Sequence, residues 1–334
     1  MIISRTPYRV SLFGGGTDYP KWFRQHGGAV LGFAINKYCY ISLRSLPPFF
    51  EHRHRIVYSR IELVGAIEEI QHPSVRAVLG EMQVTQGIEI QHQGDLPARS
   101  GLGSSSSFTV GLLNALWAQN GRMATKAALA AEAIRIEQEV IRENVGSQDQ
   151  IWAAYGGMNR IEFNPDGSFA VHPVVLPQGR RRALMESLML VFSGFSRFAD
   201  RLAAQQIANM DRREAHLHAL RGLVDDALVI LQDPARPIAE IGELLHHSWM
   251  LKRDLSDSIT SPSIDAIYQT AREAGAIGGK LLGAGGGGFM LFFVPPERQA
   301  AVRERLRDLI HVGFDIDPVG SRIVVYEPDD FEHP

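Results

Sequence analysis

The 334-residue sequence contains a single cysteine, Cys39. One cysteine cannot form an intrachain disulfide or supply a cysteine-based zinc site alone, so this composition favours a reducing, cytoplasmic location. Runs of about 18 apolar residues, which a membrane-spanning helix requires, are missing, and the N-terminus shows no signal-peptide pattern. The sequence therefore predicts neither export nor a membrane partner.

The sequence also lacks a large excess of either charge, because it has 34 basic and 37 acidic residues and a formal net charge of −3. Such a balance provides no overall basic surface of the kind that binds nucleic acid. Lysine is scarce, with only five residues in the chain. Because lysine is scarce, a lysine close to a glycine-rich run is a stronger indication of a binding site than it would be in a lysine-rich chain.

Glycine, by contrast, is abundant and clustered. Twelve of the 32 glycines fall in three short runs at positions 14–16, 101–103 and 278–288. This clustering excludes a collagen-like period and diffuse low complexity. It indicates places where the backbone itself approaches a ligand or another segment closely.

The pattern of apolar residues predicts an α+β protein of two domains. Strand-like alternation near the N-terminus is followed by helical spacing at 104–119 and 125–142. The arginine-rich segment 178–182 separates this half from the next, and we place the domains at 1–182 and 183–334. The elements expected in the second half are a strand at 188–192, helices at 198–231 and 236–256, and strands at 289–294 and 322–326.

The second glycine run, Gly101-Leu-Gly followed by Ser104 to Ser107, opens the predicted helix. Free backbone N–H groups, the positive end of the helix dipole and a row of hydroxyls converge there, which favours a bound phosphate with its Mg²⁺ ion. A plain helix cap by Ser104 is the structural alternative. The glycine patterns of P-loop and Rossmann nucleotide sites are absent from the sequence.

The stretch from Leu96 to Ser107 resembles the P-x-x-x-G-L-G-S-S phosphate loop of the GHMP kinases, the family of galactokinase, homoserine kinase, mevalonate kinase and phosphomevalonate kinase. Two further family motifs occur in the required order, from Arg5 to Tyr19 and from Lys280 to Phe289. The resemblance implies an α+β fold of two domains, the first like domain 2 of ribosomal protein S5 and the second a ferredoxin-like α/β sandwich, with the active site between them. The residues that it implies for ATP binding are Pro97, Ser100, Gly101, Leu102, Gly103, Ser104, Ser105, Ser106 and Ser107.

The resemblance also implies which groups act in phosphoryl transfer from ATP. In the family, a glutamate on the helix after the phosphate loop joins a loop serine around Mg²⁺, and a later aspartate faces the acceptor. Glu137 with Ser105 or a neighbouring serine matches the metal ligands, and Asp149 matches the catalytic aspartate. Glu139 is close enough to leave the glutamate assignment open. A solvated glutamate and an Asx turn are the structural alternatives.

The N-terminal motif is similar to the galactokinase signature, which implies that Arg9 is a catalytic cation and that Asp18 binds sugar hydroxyls. Gly15 and Gly16 stand where galactokinase has glutamate and histidine, so galactose is not expected. The Gly-Gly-Gly-Thr-Asp variant, which includes Thr17 in the acceptor site, is more similar to the heptose 7-phosphate kinases and to the kinase portion of bifunctional fucokinases. The reaction implied is phosphorylation of the anomeric hydroxyl of D-glycero-D-manno-heptose 7-phosphate, in nucleotide-activated heptose biosynthesis.

A phosphorylated acceptor requires cationic partners. The sequence offers four, each of which could instead be a plain surface charge: Arg197, Lys252, Arg253 and Lys280. The third glycine run is expected to line the acceptor pocket with Lys280, Gly285, Gly286 and Gly287, or else only to let a helix and a strand pack closely. The small-molecule partners implied are ATP and a sugar phosphate, and a homodimer is compatible with the resemblance. Another sugar 1-kinase and a non-catalytic ligand sensor of the same fold are the rival functions.

Overall fold

The structure, a computed structural model, describes residues 1–194, 199–256 and 258–328, without the side chains of 199–201. Its strands are β1 (Ile2–Phe13), β2 (Gly28–Ser45), β3 (His54–Val57), β4 (Ile61–Val64), β5 (Ile88–Gly94), β6 (Met158–Phe163), β7 (Phe169–Pro173), β8 (Leu188–Phe192), β9 (Gly278–Leu281), β10 (Phe289–Phe293), β11 (Ile310–Val312) and β12 (Arg322–Tyr326). Its helices are α1 (Pro20–His26), α2 (Pro73–Glu81), α3 (Ser104–Gln119), α4 (Lys126–Arg135), α5 (Gln148–Tyr155), α6 (Gln178–Glu186), α7 (Ala199–Asn209), α8 (Glu214–Gln232), α9 (Glu240–Arg253), α10 (Pro262–Glu273) and α11 (Gln299–Arg305). Arg197, one of the four cations considered above, lies outside the described residues.

An eight-stranded sheet organises the first unit, in the order β12-β1-β2-β5-β3-β4, with β6 pairing with both β2 and β7. The 18-residue strand β2 is long enough to pair antiparallel with β1, β5 and β6. Helix α3 packs against β1 and β2 and is buried from Ser106 to Trp117. Because a helix buried on every face is held firmly in the core, α3 fixes the position of the glycine loop that precedes it.

A four-stranded antiparallel sheet, β11-β8-β10-β9, organises the second unit. Strand β10 is apolar and buried at every position. Helix α9 lies directly over β9, since a Cβ at Gly278 would come within 1.9 Å of the carbonyl oxygen of Gly242. The first glycines of the third run therefore permit close packing of a helix on a strand.

The last strand corrects the expected membership of the second unit. The sequence places 322–326 there, but β12 pairs antiparallel with β1, with Tyr326 opposite Ile2. An isolated antiparallel bridge joins Ile35 and Ile316 in the same part of the molecule. Without β12 the strand β1 would present an unpaired edge, and the returning chain covers it. The boundary at residue 182 itself stays a prediction.

Two predicted segments differ in detail from the structure. The arginine-rich segment begins helix α6, and Arg180 donates hydrogen bonds to backbone carbonyls at the end of α8 and beyond, including that of Arg236 at 2.8 Å. The helix predicted at 198–231 is divided into α7 and α8 by a 3₁₀ turn at Met210–Arg212. Within the described part of the chain, no helix is long and apolar enough to cross a membrane.

The helix that follows α3 is interrupted where the sequence places a functional glutamate. Thr125 caps α4 as predicted, because its hydroxyl accepts a hydrogen bond from the amide of Ala128 at 3.2 Å. The chain then forms a π-helical turn, Ile136–Val140, in place of the continuous helix expected to residue 142. Such turns change the direction of side chains and occur frequently at functional sites.

Candidate active site

The glycine loop before α3 leads into an open helix N-terminus through backbone with positive φ angles. Arg99, Gly101 and Gly103 all have positive φ angles, of 57°, 85° and 72°. Gly103 is the N-cap of α3, and no side chain among the described residues caps it. The first N–H groups of α3 therefore remain available for an anion, and the dipole of a 16-residue helix favours negative charge there.

Hydrogen bonds hold this loop from both units. The Ser107 hydroxyl donates to the Pro7 carbonyl in β1 at 2.8 Å, and the Ser100 hydroxyl donates to the Pro97 carbonyl at 2.7 Å. The Ser100 carbonyl accepts from the amide of Phe289 at 3.0 Å. Leu102 is fully buried, so it anchors the loop and contributes only backbone to a ligand.

The four serines after Gly103 have different surroundings in the structure. Ser104 accepts a hydrogen bond from the amide of Arg99 at 3.0 Å. Ser105, predicted as the metal ligand, is exposed, whereas the neighbouring Ser106 is buried and donates to Glu137 Oε2 at 2.8 Å. The helical turn directs these two side chains differently, and the sequence order of four identical residues cannot distinguish them.

Glu137 is buried beside Ser106, whereas Glu139 is exposed, so burial favours Glu137 and its role as a metal ligand stays a prediction. Ser106 and Gln150 both donate to Oε2 of Glu137, but its buried Oε1 has no partner among the described residues. Burial raises the pKa of this carboxyl to about 7. A buried carboxylate oxygen without a donor, beside a serine hydroxyl, is the type of oxygen ligand that suits Mg²⁺, so these residues fit the ion.

Asp149 and Arg9 form the central ion pair of the site. Arg9 Nε and Nη2 bond the two oxygens of Asp149 at 2.7 and 2.6 Å, and Nη1 donates to the Gly101 carbonyl at 2.6 Å. The Asp149 side chain keeps 23% of its surface exposed, compared with 6% for Arg9. A Cβ at Gly103 would lie 3.2 Å from Asp149 Oδ2, so the carboxylate lies at the open end of α3.

Asp18 lies in a closed pocket beside this pair. It is 1% exposed and accepts hydrogen bonds from the Gly16 amide at 3.0 Å and from Gln148 Nε2 at 2.8 Å. Burial raises the pKa of Asp18 to about 6, and the charge of Asp149 adds to the effect. A Cβ at Gly146 would come within 1.9 Å of Asp18 Oδ2, so only glycine fits at that position.

The other residues predicted around Asp18 have structural roles. The Thr17 hydroxyl is fully buried. It lies 2.8 Å from the Gly14 carbonyl oxygen and 2.9 Å from that of Ala29, and either oxygen can accept its proton. Gly16 has a φ of 105°, and Gly15 lies beside the Gln148 side chain, 3.9 Å from a Cβ built there. The first glycine run therefore shapes the loop that presents Asp18.

Two lysines from the second unit approach the same place. The amine of Lys252 donates to the carbonyls of Leu281, at 3.0 Å, and Gly283. Burial lowers the pKa of Lys252 to about 7, and the positive charge of Arg9 lowers it further. Lys280 is buried and donates to the Leu12 carbonyl at 2.8 Å, and burial and the charge of Lys252 hold its pKa well below the usual range.

The remaining predicted cation and the histidines are engaged elsewhere. Arg253 pairs with Asp265 at 3.2 Å on the outer side of α9. His246 hydrogen-bonds the Tyr268 hydroxyl at 2.7 Å, and His247 is exposed. Of the three predicted cations within the described residues, Lys252 and Lys280 therefore lie at the site and Arg253 does not.

The third glycine run packs directly on the phosphate loop. A Cβ at Gly283 would lie 2.5 Å from the Gly101 Cα, and one at Gly288 would lie 2.3 Å from the Ser100 carbonyl oxygen. Gly285 and Gly286 contact Ile259, to whose carbonyl the Gly286 amide donates at 2.9 Å. No described contact places Gly285, Gly286 or Gly287 against an acceptor, so that role stays a prediction.

Sequence reasoning missed two residues that the structure makes important. Gln148 holds Asp18, and Gln150 holds Glu137, so both neighbours of Asp149 organise a carboxylate. The signal was present in the sequence Gly-Ser-Gln-Asp-Gln, where two amide side chains flank the aspartate. An open helix N-terminus, a buried carboxylate that fits a metal ion and an arginine-paired aspartate form an arrangement suited to transfer of a phosphoryl group to a hydroxyl.

Comparison with known proteins agrees with this class. The GHMP kinases N terminal domain matches residues 63–157, and the GHMP kinases C terminal domain matches residues 230–311. The D-glycero-alpha-D-manno-heptose 7-phosphate kinase of Campylobacter jejuni is 27% identical over 316 residues, which cover 92% of this chain and 93% of that protein. The L-fucokinase/L-fucose-1-P guanylyltransferase of Bacteroides fragilis is 26% identical across 91% of this chain but only 36% of that protein.

The fold has solved counterparts. The crystal structure of a D-glycero-D-manno-heptose 1-phosphate kinase from Bacteroides thetaiotaomicron superposes with a TM-score of 0.79 over 98% of this chain and all of that one, at 22% identity. The expected two-domain α+β fold is therefore confirmed. The chain belongs to the GHMP kinase family, whose members use ATP as the phosphate donor.

Proposed function

We propose that this protein transfers the γ-phosphate of ATP to the anomeric hydroxyl of D-glycero-D-manno-heptose 7-phosphate, with Mg²⁺ as the metal, and forms the 1,7-bisphosphate. The match to both GHMP kinase domains, together with the similarity to a heptose 7-phosphate kinase and a galactokinase, supports the class of reaction: the protein is an ATP-dependent sugar kinase. The observation that carries the proposal is the Arg9–Asp149 pair at the open N-terminus of α3, with the buried Asp18 beside it. The relative from Campylobacter jejuni, which matches over nine-tenths of both chains, supports the choice of sugar.

The loop residues 100–107 would hold the phosphates of ATP mainly through backbone N–H groups. The positive φ angles of Gly101 and Gly103 direct successive amides toward one point, and such geometry holds an anion without requiring a charged side chain. Glu137 and Ser106 would hold Mg²⁺ at the bottom of the loop. When bound, that ion supplies charge neutralisation on the phosphate oxygens.

Asp149 would orient the acceptor hydroxyl and accept its proton. As the new bond between the sugar oxygen and the γ-phosphorus forms, the bond from that phosphorus to the leaving ADP oxygen breaks, and the hydroxyl proton passes to the carboxylate. Arg9 holds Asp149 at two points and is itself fixed by the Gly101 carbonyl, so the pair is rigid. Such positioning supplies much of the rate enhancement in phosphoryl transfer.

Asp18 would accept hydrogen bonds from other hydroxyls of the sugar. Its Oδ2 already accepts from Gln148, whose own Oε1 is buried and has no partner among the described residues. A sugar hydroxyl can donate to one of these oxygens and so satisfy an atom that is unpaired in the free protein.

The second phosphate of the acceptor would lie near Lys252. This amine is close enough to Arg9 and Asp18 to interact with both charges, and its pKa of about 7 leaves it able to gain a proton when an anion arrives. Lys280 lies deeper, bonded to the Leu12 carbonyl, and would contribute charge without direct contact. The acceptor's own phosphate thereby distinguishes the proposed substrate from a free sugar.

An acceptor panel tests the proposal. The purified protein with ATP and Mg²⁺ is offered heptose 7-phosphate, free heptose, fucose and galactose, and ADP release is measured; phosphorus NMR then locates the new phosphate. We expect efficient turnover with heptose 7-phosphate and a phosphate on the anomeric carbon. Activity confined to unphosphorylated sugars would replace the proposed acceptor by that of another sugar 1-kinase, and nucleotide binding without turnover on any acceptor would favour a ligand sensor.

A further inference from the structure

A second group of ligating side chains lies where α1 of the first unit meets α8 of the second. His26, Glu214 and His218 each offer one ligand atom, and these atoms all lie within 4.8 Å of one another. None of the three residues belongs to the site described above. Among the residues that the structure describes, this is the one group of three or more His, Cys, Asp or Glu side chains with such spacing.

The ligand atoms of the group are slightly farther apart than they would be around a bound metal ion. Glu214 and His218 are one helical turn apart on α8, with His218 Nε2 3.4 Å from Glu214 Oε1. His26, the last residue of α1, places Nδ1 3.9 Å from the same oxygen. Ligand atoms around a tetrahedral Zn²⁺ at about 2.0–2.1 Å are separated by a little over 3 Å, so a small side-chain rotation would bring the three into place.

Aromatic contacts hold both imidazoles in orientation. The His26 ring stacks on Trp22 with centroids 4.1 Å apart, and the His218 ring meets Trp22 edge-on at 4.9 Å. The two imidazoles meet each other at 5.2 Å and 89°. Trp22 is buried, so it provides a fixed support for ligands that are themselves exposed. Oriented ligands lose less conformational freedom when a metal binds.

The donor set of the group suits a cation. Lys21, which lines the adjoining cleft, is paired with Asp211 at 2.9 Å and also bonds the Ile207 carbonyl. Glu214 thus remains as a carboxylate facing two imidazoles, a donor set of two nitrogens and one oxygen that suits Zn²⁺ and similar transition-metal ions. The adjoining cleft of about 190 Å³ leaves room for a water molecule as the fourth ligand.

We propose that His26, Glu214 and His218 form a binding site for one divalent transition-metal ion, Zn²⁺ being the best fit, with the fourth position open to water. The ion would join α1 to α8. Because α1 begins at Pro20, two residues after Asp18, occupancy would fasten the loop that carries Asp18 to the second unit. Mg²⁺ prefers oxygen ligands and would not compete at this site under kinase assay conditions.

Titration of the full-length protein, freed of any purification tag and treated with chelator, tests the site. Zn²⁺ binding is measured by calorimetry and by thermal shift, and Co²⁺ serves as a spectroscopic probe because its visible absorption reports tetrahedral coordination. We expect one Zn²⁺ per chain and a rise in the melting temperature with Zn²⁺ concentration. Substitution of either histidine, His26→Ala or His218→Ala, is expected to weaken binding by at least ~10-fold.

His216→Ala is the matched control. It removes a histidine from the same helix, one that faces Asp254 at 3.8 Å and lies outside the group, so Zn²⁺ binding should be unchanged. Circular dichroism without metal establishes that each variant is folded. Absence of stoichiometric Zn²⁺ binding in the wild type would overturn the proposal, as would equal affinity in the double variant His26→Ala/His218→Ala or an equal loss in His216→Ala.

Discussion

Asp18 is expected to be a functional residue that destabilises the fold at neutral pH. Its carboxyl is buried, and its pKa is raised from 3.8 to about 6 by burial and by the charge of Asp149. The folded state therefore binds more protons than the unfolded state between about pH 4 and 6, and its stability falls as the pH rises through that window. Above pH 6 the penalty is complete.

The substitution Asp18→Asn removes this penalty with little change of shape. The amide oxygen can still accept from the Gly16 amide, and the new NH₂ group can donate to Gln148 Oε1, which is buried and has no partner among the described residues, once the Gln148 amide has flipped. A shift of about two pKa units corresponds to about 3 kcal/mol, at about 1.36 kcal/mol per unit. We expect Asp18→Asn to be more stable than the wild type by ~2–3 kcal/mol at pH 7.5, and by less than ~1 kcal/mol near pH 4.

Denaturant unfolding of the ligand-free protein at several pH values measures this difference, and turnover with the sugar acceptor is measured in parallel. Asp18→Asn should gain stability and lose activity, because the carboxylate proposed to receive sugar hydroxyls is gone. A variant that is less stable than the wild type at pH 7.5, or whose advantage does not change between pH 4 and 7.5, would refute the electrostatic reasoning.

Asp149→Asn provides the opposite case. Its carboxylate is paired at two points with Arg9, which is 6% exposed, so its removal leaves a buried guanidinium without its partner. The expected loss is on the order of 3 kcal/mol of stability, together with at least ~10²-fold in turnover while ATP binding is retained. Near-normal turnover would contradict the catalytic role of Asp149. Two aspartates of one site, substituted in the same way, should thus change stability in opposite directions.

Three further predictions follow from individual contacts. Ser106→Ala should raise the Mg²⁺ concentration needed for half-maximal activity, whereas Ser105→Ala should not, because the buried Ser106 hydroxyl donates to Glu137 while Ser105 is exposed. Gly283→Ala should lower the melting temperature and the activity, since the φ of Gly283 is 74° and the added Cβ would lie 2.5 Å from the Gly101 Cα. In the control variant Gly222→Ala, the added methyl group lies in open space on α8, and the folded protein should become more stable by ~0.5–1 kcal/mol. Lys252→Ala should raise KM for a phosphorylated acceptor much more than KM for ATP, and equal effects on both would argue against its proposed role.

The sequence predicted the parts of this molecule that depend on local pattern. The bounds of α3, the Thr125 cap and the glycine loop that opens α3 follow from helical periodicity and from the chemistry of glycine and threonine, and each agrees with the structure. The pairing of β12 with β1 was missed because strand pairing at a separation of over 300 residues leaves no local signal. The same limit applies to Lys280, whose bond to the Leu12 carbonyl joins two units.

Within the site, the sequence identified residue types better than individual roles. Four consecutive serines are equivalent in a motif, and only the direction of each side chain on α3 selects Ser106 over Ser105. The choice of Glu137 over Glu139 likewise depends on the π-helical turn, which no propensity argument had predicted. Thr17 is expected at the acceptor as part of the Gly-Gly-Gly-Thr-Asp motif, and in the structure its hydroxyl contacts the backbone carbonyls of Gly14 and Ala29.

The electrostatics of the free site indicate what it is built to receive. The pKa values of Asp18 and Glu137 are raised and those of Lys252 and Lys280 are lowered, so burial drives all four groups toward their neutral forms. Direct pairing of these acids with these bases would relieve the cost, but each one instead bonds to amides, hydroxyls or carbonyls. A phosphate near the lysines, and a metal ion at Glu137, would restore their charged forms and repay that cost on binding. The groups are therefore kept apart in the free protein at the expense of stability, which is the arrangement expected where oppositely charged ligands must enter between them.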